Sequence, residues 1–210
     1  MKETSLTHLL DTAICAAEAA GRHALENKHR RTEATETFAH DVKLVLDMEC
    51  QKKAEEIVAS EFPAHAILGE EDATPRAAAD YEWVIDPIDG TMNYTHGFPY
   101  WCASVAVRRH HKVLAGCVYA PEREAFYTAH IEDAAKRNGE PIRVSETRHL
   151  RDALLFSGLS KNMVSAQEPH FEMFKKLALN TSKVRINGSA ALDLCCVAEG
   201  SSDGFMETDI

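Results

Sequence analysis

The chain has 210 residues, enough for one large domain or two small ones around a sizeable core. Its 45% hydrophobic and 27% charged residues are ordinary for a soluble globular protein. A formal net charge of −10 argues against a nucleic-acid-binding face.

Leu6, Leu9, Leu10, Ala13, Ile14, Ala17, Ala24 and Leu25 recur at helical spacing and predict an amphipathic helix over residues 4–28. The polar stretch from Lys28 to His40 reads as a mobile loop. A second helix is expected over 42–61, with Val45, Met48, Ala54, Ile57 and Val58 on its apolar face. Ala66-Ile67-Leu68 is a short apolar strand running into Gly69-Glu70-Glu71-Asp72. Trp83-Val84-Ile85 is another, running into Asp86-Pro87-Ile88-Asp89-Gly90. Residues 101–107, 113–119 and 124–128 predict a β-meander, with turns at Arg108 to Lys112 and at Pro121-Glu122-Arg123. Asn138-Gly139 is a turn signal ahead of a strand at Ile142-Arg143-Val144. Phe171, Phe174, Leu177 and Ala178 place a helix over 166–179, and Val184-Arg185-Ile186 reads as a strand. Ala190 to Ala198 reads as a helix ending at Gly200, followed by a strand from Asp203 to Glu207. This order fits an α+β or layered αβ architecture.

The six cysteines, Cys15, Cys50, Cys102, Cys117, Cys195 and Cys196, form no CxxC pair and no zinc-like spacing with histidine. They read as buried, reduced thiols of a cytoplasmic protein. No apolar stretch approaches the ~18 residues of a membrane span, and the polar start, Met1 to Thr7, is unlike a signal peptide. No membrane role is expected.

Two apolar strands each deliver acids at their C-terminal ends: Glu70, Glu71 and Asp72 from the first, Asp86 and Asp89 from the second. Pro87 stiffens the backbone between the last two, and Gly90 permits a turn closed to most residues. Like charges clustered at strand ends are costly unless compensated. All the offered ligands are oxygens, so a hard cation such as Mg²⁺ is the natural compensation. The Thr91 hydroxyl can orient a water, and the Gly90 and Thr91 amides can meet a phosphate oxygen.

The stretch Trp83 to Tyr94, WVIDPIDGTMNY, resembles the signature D-P-I/L-D-G-T-x-N-F/Y of the inositol monophosphatase family. Gly69-Glu70-Glu71 resembles that family's G-E-E motif, and Gly188-Ser189-Ala190-Ala191 also looks like the family. The resemblance covers the whole chain and implies the α+β fold of inositol monophosphatases and fructose-1,6-bisphosphatases, a layered αβαβα sandwich. It implies a single domain over 1–210, with helices and meander sheet to about 145 and an incomplete second αβ layer from 146. It implies a Mg²⁺-dependent phosphoric monoester hydrolase using two or three ions. Glu70, Asp86 and the Ile88 carbonyl would hold the first ion, and Asp86 and Asp89 the second. Thr91, with Asp47, would activate water, Glu70 reaching a third ion through water. The Gly90 and Thr91 amides would bind phosphate, and Ser189, Ala190 and Glu207 would contact the alcohol. Inositol monophosphate is the substrate the resemblance implies first. Histidinol phosphate, fructose 1,6-bisphosphate and 3′-phosphoadenosine phosphates are its rivals, and a metal-binding relative without turnover is the reading from another class. A homodimer through the aromatic region after Phe98 is also implied.

The sequence departs from the family in places. Asp41 to Asp47 keeps both aspartates of D-x-V-T-x-x-D but has Leu44 where threonine is usual. Lys43 reads as a solvated residue, and the stretch His130 to Ala135 lacks the glycines common there. The family pattern continues past the Glu207 strand to a W-D motif and further strands, so part of the C-terminal layer is expected to be missing and a sheet edge exposed. The eleven histidines show no HExxH or paired-ligand spacing. His96, Arg185 and the Lys161–Asn162 loop read first as solvated groups.

Overall fold

The computed structural model of the chain describes residues 5–38, 41–70, 79–158 and 167–207; at 35–38, 41–43 and 167–170 it describes backbone alone. The first helix, α1 (Leu6–Glu26), buries a stripe of small residues including Ala13, Ala16, Ala17, Ala20 and Ala24. Small side chains allow close approach, and Gly21 sits where a Cβ would lie 2.6 Å from the Tyr119 ring.

The stretch expected as a loop is largely structured. A 3₁₀ turn at Lys28–Arg30 leads to a hairpin of β1 (Ala34–Phe38) and β2 (Asp41–Leu44). Thr35, Thr37 and Val42 are β-branched, but the acids between them hide the alternation that marks a strand. Helix α2 (Val45–Glu61) therefore starts later than expected, after β2. Leu44, at its N-cap, has no side-chain acceptor. Only the reciprocal half of a capping box forms, with the Leu44 N–H donating to Asp47 Oδ2 at 2.8 Å.

Seven strands follow in one sheet: β3 (Ala66–Gly69), β4 (Tyr81–Asp89), β5 (Cys102–Arg109), β6 (Lys112–Ala120), β7 (Ala125–His130), β8 (Lys136–Arg137) and β9 (Glu140–Pro141). A short helix, α3 (Thr91–His96), lies between β4 and β5. The β3–β4 pair is parallel and the rest are antiparallel. Asn138 (φ 49°) and Gly139 (φ 86°) make the expected tight turn. The strand after it is Glu140–Pro141, not 142–144; Pro141 has no N–H with which to extend the ladder.

The chain then forms β10 (Leu154–Ser157), α4 (Gln167–Asn180), β11 (Lys183–Arg185), α5 (Ala190–Ala198) and β12 (Gly204–Met206). Strand β10 has no sequence-based counterpart, because Leu-Leu-Phe-Ser is too short a run to show a period. It is the centre of a second, all-parallel sheet ordered β11-β10-β12. Among the described residues β12 is an edge strand of that sheet.

Packing sets the layers. Helices α1 and α2 cover one face of the seven-stranded sheet, with Trp83, Ile85, Val105 and Val107 in the core between them. Helix α5 lies on the other face and also touches β12, while α4 packs on β11. The result is the expected layered α+β sandwich. Among the described residues no helix is long and apolar enough to cross a membrane.

Candidate functional site

The parallel β3–β4 register pairs Gly69 with Ile85, and the Glu70 N–H donates to the Ile85 carbonyl at 3.0 Å. This places Glu70 beside Asp86. One residue later the β4–β5 ladder shifts: Asp86 faces Ser104, but Asp89 faces Cys102. Three steps on one strand match two on the other, which is a β-bulge, and Pro87 lies within it. The bulge turns the end of β4 so that Asp86 and Asp89 leave the regular alternation.

Asp86 Oδ1 is buried and among the described residues has no hydrogen-bond partner, although the carboxyl group is hydrogen-bonded to Glu70. Burial raises the carboxyl well above its usual range, and the nearby charges of Glu70, Asp89 and Asp47 push it further. Among the described residues no Lys or Arg pairs with Asp86 or Asp89. An unpartnered buried carboxylate oxygen among other acids fits a hard divalent cation. The residues present therefore fit Mg²⁺ in donor chemistry. They are not a closed cage, since among the described residues no three His, Cys, Asp or Glu side chains are arranged to hold a metal.

Asp89 is partly committed elsewhere. Its Oδ2 accepts from the Ser189 hydroxyl at 2.5 Å, the Ala191 N–H at 2.8 Å and the Cys102 thiol at 3.6 Å. It thus satisfies an orphan amide at the start of α5. Ser189, expected at the substrate, is 2% exposed and spends its hydroxyl on Asp89. Ala190 beside it is half-buried.

Gly90 (φ 93°) joins β4 to α3, and a Cβ there would lie 3.1 Å from both the Gly188 and Tyr100 carbonyl oxygens. The turn therefore needs glycine. The Thr91 hydroxyl donates to the Ile88 carbonyl at 3.0 Å. With its hydrogen so used, Thr91 Oγ1 is an acceptor towards any water nearby. Asp47 is 3% exposed and close enough to act on Asp86. Glu207 follows β12, with its carboxyl lying against Gly158 where a Cβ would collide. Burial raises its pKa, and Asp89 and Asp193 add to the shift. The structure so brings Asp47, Glu70, Asp86, Asp89 and Glu207 into one electrostatic neighbourhood.

A clamp that the sequence did not reveal holds these parts together. Asn93 Nδ2 donates to the Tyr100 carbonyl at 2.7 Å and to the Asn187 carbonyl at 2.8 Å. Asp193 Oδ1 accepts from the Tyr100 hydroxyl at 2.6 Å and from Asn187 Nδ2 at 2.7 Å. Asp193 is 1% exposed, and an acid inside the apolar run Ala190 to Ala198 was its only signal. His96 is exposed and bonds the Met92 carbonyl of its own helix, and Arg185 is exposed. Glu71, Asp72, Lys161 and Asn162 lie outside the described residues, as does the Lys43 side chain.

The sequence profile described as "Inositol monophosphatase family" matches residues 5–210. A protein of Haemophilus influenzae named "Nus factor SuhB" is 34% identical over 202 residues, covering 95% of this chain and 76% of that protein. A "Fructose-1,6-bisphosphatase/inositol-1-monophosphatase" of Aquifex aeolicus is 31% identical, covering 98% and 79%. Among solved structures, the inositol monophosphatase of Anabaena sp. PCC 7120 superposes with a TM-score of 0.88 at 33% identity, covering 99% of this chain and 77% of that one. The suhB protein of Bartonella henselae gives 0.89 at 27% identity, covering 95% and 78%.

Proposed function

Because the chain belongs to the inositol monophosphatase family, we propose that it hydrolyses a small phosphate monoester with Mg²⁺, inositol monophosphate being the first candidate. The observation that carries this reading is the buried, unpartnered Asp86 Oδ1 among Glu70 and Asp89. In this reading Glu70, Asp86 and the Ile88 carbonyl would hold one ion, and Asp86 and Asp89 would hold a second, with Glu70 also within reach of a third. When bound, Mg²⁺ supplies charge neutralisation and Lewis-acid activation for attack of water on a phosphate ester.

The chain's own groups then divide the work. The Gly90 and Thr91 amides take phosphate oxygens. Thr91 Oγ1, an acceptor because its hydrogen is held by the Ile88 carbonyl, would orient the attacking water, and the buried Asp47, within electrostatic reach of Asp86, would be the base that takes the water's proton directly. Ser189 fixes Asp89, and the Ala190 region and Glu207 meet the alcohol. The net charge of −10 favours a small substrate over nucleic acid. Cytoplasmic location and a homodimer through the region after Phe98, which is itself exposed, belong to the same proposal.

A panel of esters with Mg²⁺ tests the substrate: inositol 1-phosphate, histidinol phosphate, fructose 1,6-bisphosphate and 3′-phosphoadenosine phosphate. Fastest release from inositol 1-phosphate supports the choice, and a preference for another ester replaces it. Several relatives bear the name Nus factor and not that of a phosphatase, and a metal-binding relative without turnover is the second reading. A folded chain that binds Mg²⁺ but hydrolyses none of the four would establish that reading instead.

A further inference from the structure

We propose that Gln51 is a positioning residue for Glu70: its amide, tethered by Glu55 and seated against Gly69, fixes the point from which Glu70 reaches a metal ion. This role rests on the metal site proposed above. Along α2, Asp47, Gln51 and Glu55 follow one another at i, i+4 and i+8 and so share a face. Beside them runs an apolar stripe of Cys50, Ala54 and Val58, each fully buried. Gln51 itself is 5% exposed. A buried helix position with only packing to do favours an apolar side chain, because a buried amide needs partners for its donors and its acceptor. Gln51 Nε2 donates to Glu55 Oε1 at 2.9 Å, which ties the amide to the next turn of the helix.

The tethered amide lies on the end of β3. A Cβ built on Gly69 would collide with the amide carbon, nitrogen and oxygen of Gln51 alike. Gly69 is a buried strand residue in register with Ile85, and a close approach of this kind is what glycine permits inside a strand. The next residue is Glu70, whose N–H donates to the Ile85 carbonyl at 3.0 Å, beside Asp86. Gly69 is thus gripped from two sides, by β4 through the ladder and by α2 through Gln51, and a shift of Gly69 carries Glu70 with it. Asp47 stands one turn before Gln51 on the same helix. The contact therefore ties the helix that bears the proposed base to the strand that delivers the proposed ligand.

The test titrates the 210-residue chain with Mg²⁺ alone in a calorimeter, which reads binding without turnover. Gln51→Met keeps the length of the side chain and removes the amide. Gly69→Ala keeps Gln51 and drives its amide off the strand. Each should weaken Mg²⁺ binding about tenfold, the lower end of the cost of losing support for a metal ligand. Each should also raise the Mg²⁺ needed for half-maximal phosphate release, with kcat at saturating Mg²⁺ close to that of the wild type. Gly69→Ala should cost little more in a Gln51→Ala background, where its Cβ has room, and Gln51→Met should add nothing to Glu70→Gln, through which it acts. Thermal unfolding in EDTA checks the fold of each variant; if Gln51→Met does not fold, Gly69→Ala decides alone. Wild-type affinity for Mg²⁺ in the folded variants overturns the positioning role and leaves the metal site standing. A weakening by Gln51→Met that persists in full on top of Glu70→Gln overturns the role too, because the amide then acts elsewhere. A wild type that takes up no Mg²⁺ overturns both the role and the site.

Discussion

Replacing Asn93 by alanine removes both donors of the clamp between α3 and the segment leading into α5. The Tyr100 and Asn187 carbonyls, 2.7 and 2.8 Å away, then lose their partner. Leaving a buried acceptor unsatisfied costs about 1–3 kcal/mol, and both bonds are only partly buried, so the lower half of that range applies. Two such losses give about 2–4 kcal/mol. In a chain of this size that corresponds to a fall in Tm of roughly 4–16 °C. Asn93→Asp is the sharper comparison. It keeps the shape but presents a carboxylate to two carbonyl oxygens, in a site already rich in acids. It should therefore be less stable than Asn93→Ala. Thermal unfolding followed by circular dichroism in EDTA reads both variants without interference from metal. If Asn93→Asp melts with the wild type, the donor argument is wrong.

Asp86→Asn should raise stability in EDTA, because it removes a buried charge from beside Glu70 and Asp89; a lower Tm in EDTA would contradict the crowding described here. Gly90→Ala forces φ 93° on an L-residue and brings its Cβ to 3.1 Å from two carbonyl oxygens, so it should destabilise by about 2 kcal/mol or more, measured by urea unfolding. His65 is stacked between Phe62 and Tyr81, and its Nδ1 accepts from the Trp83 indole N–H at 3.1 Å. Burial lowers its pKa, so the neutral form is favoured in the folded state. Its contribution to stability is then full above the ordinary value of 6.5 and is lost as pH falls through the lowered one. His8 pairs with Glu61 and Arg109 with Asp80 around the stack, and Arg109 lies over the Tyr81 ring, so the comparison is with His65→Gln. The variant should show a smaller loss of Tm, and a smaller change in tryptophan fluorescence, between pH 7.5 and 5.

The sandwich and the acids were legible because their signals are local. An apolar strand that runs straight into Asp86-Pro87-Ile88-Asp89-Gly90 announces itself within ten residues, and the alanine stripe of α1 repeats at a clear helical period. The bulge that turns Asp86 and Asp89 is a property of β5 pairing, which β4 alone does not encode. The Asn93–Asn187 bond joins residues 94 apart, and Asp89 to Ser189 joins residues 100 apart. No window of sequence contains either pair. Strand β10 escaped because four apolar-rich residues have no period, and the β1–β2 hairpin because its charges imitate a loop. Leu44 shows the converse. Its departure from the family's threonine was visible in sequence, and the structure adds that Asp47 supplies the remaining half of the cap.

The most direct test of the proposed site is phosphate release from inositol 1-phosphate as Mg²⁺ is titrated, comparing the wild type with Asp86→Asn of verified fold. Release should require Mg²⁺ and stop in EDTA. Asp86→Asn should reduce it by more than the 10–100-fold typical of groups that only support a metal ligand. Release that persists in EDTA, or that Asp86→Asn leaves intact, would contradict a metal site built on Glu70, Asp86 and Asp89.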